Sequence, residues 1–160
     1  MLSALAGFPV AQQSHSVPFT RKLQELSEEL AVIDDSQERL SILVDRTRNQ
    51  PPLPPADRVA ANRIPGCVST VWLVGEYRDG KCYFRSDAES PVVRGLVGFL
   101  CEFFSGFPPG AIIATTPDPL EALGLIRNLS PTRRNGLAAA RAAIRAFAAS
   151  RQSASHDRGT

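Results

Sequence analysis

The chain has 160 residues, of which 43% are hydrophobic and 21% charged, with a formal net charge of +2. That length suits one domain with a real core, and the composition excludes disorder. So small a charge, with no basic stripe interleaved with aromatics, excludes nucleic acid as a partner, and no apolar run approaches the roughly 20 residues that a membrane span needs.

Residues 1–17 show no apolar periodicity and no basic n-region, so they predict a flexible tail rather than a secretion signal, and a cytoplasmic protein. Phe19, Leu23, Leu26, Leu30 and Ile33 recur at helical spacing and predict a first amphipathic helix from about Pro18. Asp35, with Glu38 three residues later, is a capping box opening a second helix whose Leu40, Leu43 and Val44 point inward. QPPLPPADR then breaks the pattern, because consecutive prolines neither continue a helix nor enter a sheet interior. Asn62 to Ile64 is a candidate short strand. Val68 to Tyr77 is rich in β-branched and aromatic residues, and Val71, Trp72, Leu73 and Val74 are apolar on both faces, as in a covered strand. Asp79-Gly80 marks a tight hairpin turn, and Lys81 to Arg85 is the return strand.

Ser90-Pro91 then opens a helix with Val92, Leu96, Phe99, Leu100 and Phe103 on one stripe, ending near Gly106. Asp118-Pro119 opens a short helix, and Ser130-Pro131 opens the last one, with Leu137, Ile144 and Phe147 facing the core. The polar residues 151–160 read as a second flexible tail. The expected fold is α+β: one domain over residues 18–150, a small antiparallel sheet with its helices packed on one face.

The chain carries no phosphate loop, no dinucleotide fingerprint and no HExxH helix, and its only histidines, His15 and His156, fall in the expected tails. A cysteine hydrolase needs a base beside its thiol, so that class fits poorly. Sulfur exchange needs only an accessible thiolate and a sulfur to attack. Three cysteines without a CxxC pair match neither a zinc site nor a disulfide framework, and no metal or other cofactor is expected. Cys101 lies in an apolar helix and Cys82 in a strand, both packing positions. Cys67 differs, because Pro65-Gly66 sets a turn just before a strand and presents the thiol on a loop tip.

NRIPGCVSTVWL, Asn62 to Leu73, resembles the active-cysteine segment of the SufE/CsdE sulfur acceptors, with Gly66, Cys67, Ser69, Val71 and Trp72 matching. SPVVRGLVGFL, Ser90 to Leu100, resembles the family's V-(K/R)-GL helix, and LSPTRRNGLAA, Leu129 to Ala139, its L-S-P-x-R-x-x-GL block. The similarity runs from about Phe19 to Ala149. It implies a fold like that of IscU-type scaffolds. It also implies that Cys67 takes persulfide sulfur from a SufS- or CsdA-like cysteine desulfurase, stimulates it, and passes the sulfur to an iron–sulfur scaffold. In resting relatives the cysteine tucks into an apolar hollow. Gly66, Ser69, Glu89 and Arg133 would support the site or the partner contact. Glu89 stands where relatives carry an aspartate, with Asp87 two residues earlier, and is the expected internal partner of Arg133, with Asp87 second. The alternatives are a regulator that binds the desulfurase without carrying sulfur, and a scaffold that assembles the cluster itself, which one well-placed cysteine does not suit. Either a monomer or a homodimer is compatible with the sequence.

Overall fold

The computed structural model describes residues 17–115 and 118–156. Helix α1 (Val17–Ala31) and helix α2 (Ser36–Thr47) open the chain, the second held at its start by Asp35, whose carboxylate accepts from the backbone N–H groups of Gln37 and Glu38. The proline connector follows, with 3₁₀ turns at Pro55–Asp57 and Ala60–Asn62. Strand β1 (Val71–Arg78) and strand β2 (Lys81–Ala88) form a two-stranded antiparallel sheet, in register from Val71 opposite Ala88 to Arg78 opposite Lys81. Asp79 and Gly80 between them both have positive φ, 52° and 78°, as the tight turn demands. Helices α3 (Pro91–Phe104), α4 (Pro109–Ala114), α5 (Pro119–Ala122) and α6 (Pro131–His156) complete the fold.

The expected α+β architecture is what forms. Alternation sends Val71, Leu73 and Gly75 of β1, with Ala88, Ser86, Phe84 and Cys82 of β2, to one face, and there the helices pack. α3 lies against β2 and is buried almost all round, from Leu96 through Cys101 to Phe103 and Phe104, so it forms the centre of the core. α2 lies close against α3: a side chain at Gly95 would place its Cβ 2.8 Å from Val44 Cγ1 and 3.0 Å from Val44 Cα. α6 packs along β1 and α4, and the Phe147 ring meets Phe84 edge-on.

The second face of the sheet explains why β1 is apolar on both sides. Trp72, Val74, Asp87 and Arg85 point there, and the connector lies over them, with Arg85 reaching Asp57 and the Arg58 guanidinium over the Trp72 ring. The expected third strand is reduced to a single bridge, Arg63 opposite Trp72, because the proline turn after Ile64 ends the pairing. β2 runs to Ala88, three residues past its expected end. α4 is an addition to the expected elements. α6 continues to His156, six residues beyond the expected end of the domain at 150, since SRQSASH contains neither glycine nor proline to stop it. The expected tail at 1–17 falls, apart from Val17, outside the described residues.

Candidate functional site

Cys67 sits in a loop that links the Arg63 bridge to β1. The loop is closed at its base where Ile64 N–H donates to the Val71 carbonyl at 2.9 Å, and it is tied to the end of β2 where Glu89 N–H donates to the Thr70 carbonyl at 3.1 Å. Pro65 and Gly66 turn the chain at the tip, and Gly66 has φ +82°, open to glycine and strained for other residues. Nothing lies within 4 Å of the place where a Cβ on Gly66 would stand, so the glycine is there for its backbone and not for space.

The Cys67 side chain is half-buried, folded back onto α6, with Sγ 3.8 Å from the Gly136 carbonyl that accepts its weak hydrogen bond. Gly136 lies directly beneath the sulfur, and a Cβ there would stand 3.7 Å from Sγ, in ordinary contact, so the approach does not depend on a glycine. Burial pushes the Cys67 thiol above its ordinary value, against the opposing pull of the Arg63 guanidinium. The docked state therefore holds a protonated, poorly nucleophilic thiol.

Beside Sγ lies a cavity of about 180 Å³ lined by Cys67, Val68 and Ser69 from the loop, Ser90 and Val93 from the start of α3, and Ser130 and Arg133 from the start of α6. The two serine-proline helix starts thus meet at the cysteine. Ser130 caps α6, its Oγ accepting from Arg133 N–H at 3.3 Å. Ser90 occupies the equivalent position on α3, but its hydroxyl makes no capping bond. Arg133 contributes the one charge in this lining, and among the described residues its guanidinium has no carboxylate partner. Val68, next to Cys67, is 85% exposed.

The structure brings Cys67, Gly66, Ser69 and Arg133 together. It does not bring Glu89 to Arg133. Glu89 is exposed and lines a different hollow with Val44, Arg48 and Arg94, so the expected pair is not formed. Nor does Asp87 reach Arg133. Asp87 is 4% exposed and takes Arg58 at 2.7 Å, Arg94 at 3.2 Å and Leu53 N–H at 3.2 Å, fastening connector, β2 and α3 together. Sequence alone missed this node, because its arginines lie on separate segments with no local spacing to betray the contact.

The other two thiols are packing residues by position. Cys82 is 0% exposed on β2, and burial raises its thiol, with Arg151 pulling the other way. Cys101 is 3% exposed and burial pushes it up to about 12, against a hydrogen bond with Ser86. Among the described residues no helix is long and apolar enough to cross a membrane, and no group of three His, Cys, Asp or Glu side chains is placed to hold a metal ion.

A family model described as "SufE: Fe-S metabolism associated domain" matches residues 24–148. An uncharacterised SufE-like protein of Rhizobium meliloti (strain 1021) is 33% identical over 122 residues, covering 72% of this chain and 86% of that protein. An uncharacterised SufE-like protein of Synechocystis is 35% identical over 102 residues, and the match spans 64% of each chain. The solution structure of a hypothetical protein from Thermus thermophilus superimposes with a TM-score of 0.64 at 22% identity, covering 82% of this chain and 93% of that one, and so shares the fold.

Proposed function

The chain belongs to the SufE family of Fe–S metabolism associated domains, and within that family we propose that it is a sulfur acceptor working on Cys67. Its partner is a cysteine desulfurase of the SufS or CsdA kind, which it stimulates, and it delivers the sulfur to an iron–sulfur scaffold. In this reading it is a carrier and co-substrate rather than a stand-alone enzyme. The observation that carries the proposal is the meeting of Cys67 with Arg133, which has no carboxylate partner among the described residues, at one cavity between the loop and the starts of α3 and α6.

The proposed chemistry is a thiol–persulfide exchange. Sγ leaves the Gly136 carbonyl and loses its proton to water. The Cys67 thiolate then attacks the outer sulfur of the desulfurase persulfide. A new S–S bond forms on Cys67, the donor S–S bond breaks, and its pair returns to the desulfurase cysteine as thiolate, with no net oxidation. The hollow beside Sγ has room for one added sulfur atom, and its walls keep solvent thiols away from the loaded persulfide. Arg133 stands at the mouth to pair with an acidic group of the partner, and Gly66 and Ser69 shape the loop that carries the thiol. Three free thiols, two of them buried, suit a reducing compartment such as the cytoplasm.

The test is desulfurase turnover with cysteine as substrate. Added chain should raise the rate in a saturable way, and the Cys67→Ser chain should not. Equal stimulation by both would leave Cys67 no part in the activity.

A further inference from the structure

Moving the Cys67 thiol out to a partner leaves a gap behind it. In the docked state the sulfur borders a hollow whose floor is apolar and buried, with Val71 0% and Val93 6% exposed, and whose rim includes the exposed Ser130 and Arg133. The thiol packs against the core at this edge. Withdrawing it strips contacts from the floor, and apolar surface left facing water or a void is a cost that the outward state carries.

Val68, the next residue, stands in the opposite environment. It borders the same hollow, yet it is 85% exposed. Among the described residues the exposed large hydrophobics are Val32, Val59, Val68 and Tyr77, and of these Val68 alone lines this cavity. Adjacent Cα atoms are about 3.8 Å apart, so a half-turn of the tip that lifts Cys67 out carries Val68 in. The loop is suited to such a turn. Its ends are pinned, by Ile64 N–H on the Val71 carbonyl and by Glu89 N–H on the Thr70 carbonyl. Between them Gly66, at φ +82° and with no Cβ, crosses between left- and right-handed backbone regions at little cost.

Resting on the sulfur-acceptor reading, we propose that Val68 is a positioning residue for the nucleophile: when the tip turns, its side chain takes the place of the Cys67 thiol over the Val71–Val93 floor and so holds the thiol outward for the persulfide. The isopropyl group regains the contacts that the thiol gives up, and it leaves water as it does so. No bond is made or broken in this exchange, and the transfer step is the one above.

The experiment is the rate of iodoacetamide labelling of Cys67 in the full chain without desulfurase, near neutral pH, read by peptide mass spectrometry. Each rate is divided by that of the same chain in concentrated urea, so the ratio reports how often the docked thiol turns out. Val68→Thr keeps the branched shape but makes the apolar floor a poor place for the side chain. It should label about tenfold more slowly, or roughly 1.4 kcal/mol. Its melting temperature should not change, because position 68 is exposed in the docked state. Val68→Ile should label at the wild-type rate or faster, and Val32→Thr, equally exposed between α1 and α2, should leave the rate in place. A wild-type rate in Val68→Thr, or equal slowing in Val68→Ile or Val32→Thr, would overturn the proposal. So would a wild-type rate in Val68→Thr together with lost desulfurase stimulation, which would give the valine to the partner's surface instead. Sulfur loading of the wild-type chain by desulfurase and cysteine separates this failure from failure of the acceptor reading, since normal loading with an unchanged Val68→Thr rate refutes only the role of Val68.

Discussion

The Val71–Ala88 end of the hairpin carries two polar centres of opposite character. At one, Asp87 is buried and its partners are internal: Arg58 and the Leu53 N–H from the connector and Arg94 from α3 converge on it. At the other, around Cys67, two polar groups stand without such partners among the described residues: the Arg133 guanidinium has no carboxylate and the Ser90 hydroxyl makes no capping bond. A buried charge without partners is costly, and the Asp87 carboxylate accordingly has two arginines and a backbone N–H around it. An exposed arginine costs little when unpaired, so it can be kept for a group that another molecule brings. Asp87, which holds the fold, thus has its partners inside the chain, whereas the Arg133 guanidinium, proposed to meet the desulfurase, has no carboxylate among the described residues.

Breaking the closed centre should give the largest effect. Asp87→Ala strands the Leu53 N–H and two arginines that are partly able to reach water, and should lower unfolding free energy by about 2–4 kcal/mol in a urea titration. The fraction that stays folded should still accept sulfur. A well-folded Asp87→Ala protein that fails to load would move Asp87 from one centre to the other.

The buried thiols sharpen the same contrast. Replacing Cys82 and Cys101 together by alanine should cost about 1–2 kcal/mol and leave sulfur acceptance near normal, since both are small packing groups. A large loss of transfer in that variant would make one of them a relay. Their burial also has a pH signature. The Cys101 thiol is raised from 9.0 to about 12, so its contribution to stability is complete below pH 9 and is lost as pH rises towards 12, where the unfolded chain ionises first. Cys101→Ala should flatten the alkaline fall in stability, and an unchanged slope would contradict the burial.

Within the open centre, Arg133→Ala should weaken desulfurase stimulation about tenfold, or roughly 1.4 kcal/mol, with little change in melting temperature. Normal stimulation, or simple unfolding, would make the arginine structural.

Much of this was legible locally. Asp35 before Ser36, the Asp79-Gly80 turn, the serine-proline helix starts and the apolar stripes of α1, α3 and α6 each encode their element within a few residues. α4 escaped because Pro108-Pro109-Gly110 looks like a breaker, although a proline in the first helical turn is well tolerated. The loop-tip position of Cys67 was legible through its Pro65-Gly66 turn, and Arg133 was singled out only through the resemblance of its segment to SufE proteins. Contacts between distant segments were not legible. The hold of Arg58 and Arg94 on Asp87, and the separation of Glu89 from Arg133, depend on how connector, β2 and α3 meet, and residue spacing carries no record of that.

The account stands or falls on where the sulfur goes. The most direct measurement is the intact mass of the chain after incubation with desulfurase and cysteine, followed by peptide mapping without reductant. The account predicts one added sulfur atom, located on the peptide containing Cys67 and absent from the Cys67→Ser chain. A wild-type chain that stimulates the desulfurase but never gains that mass, or a Cys67→Ser chain that gains it, would contradict it.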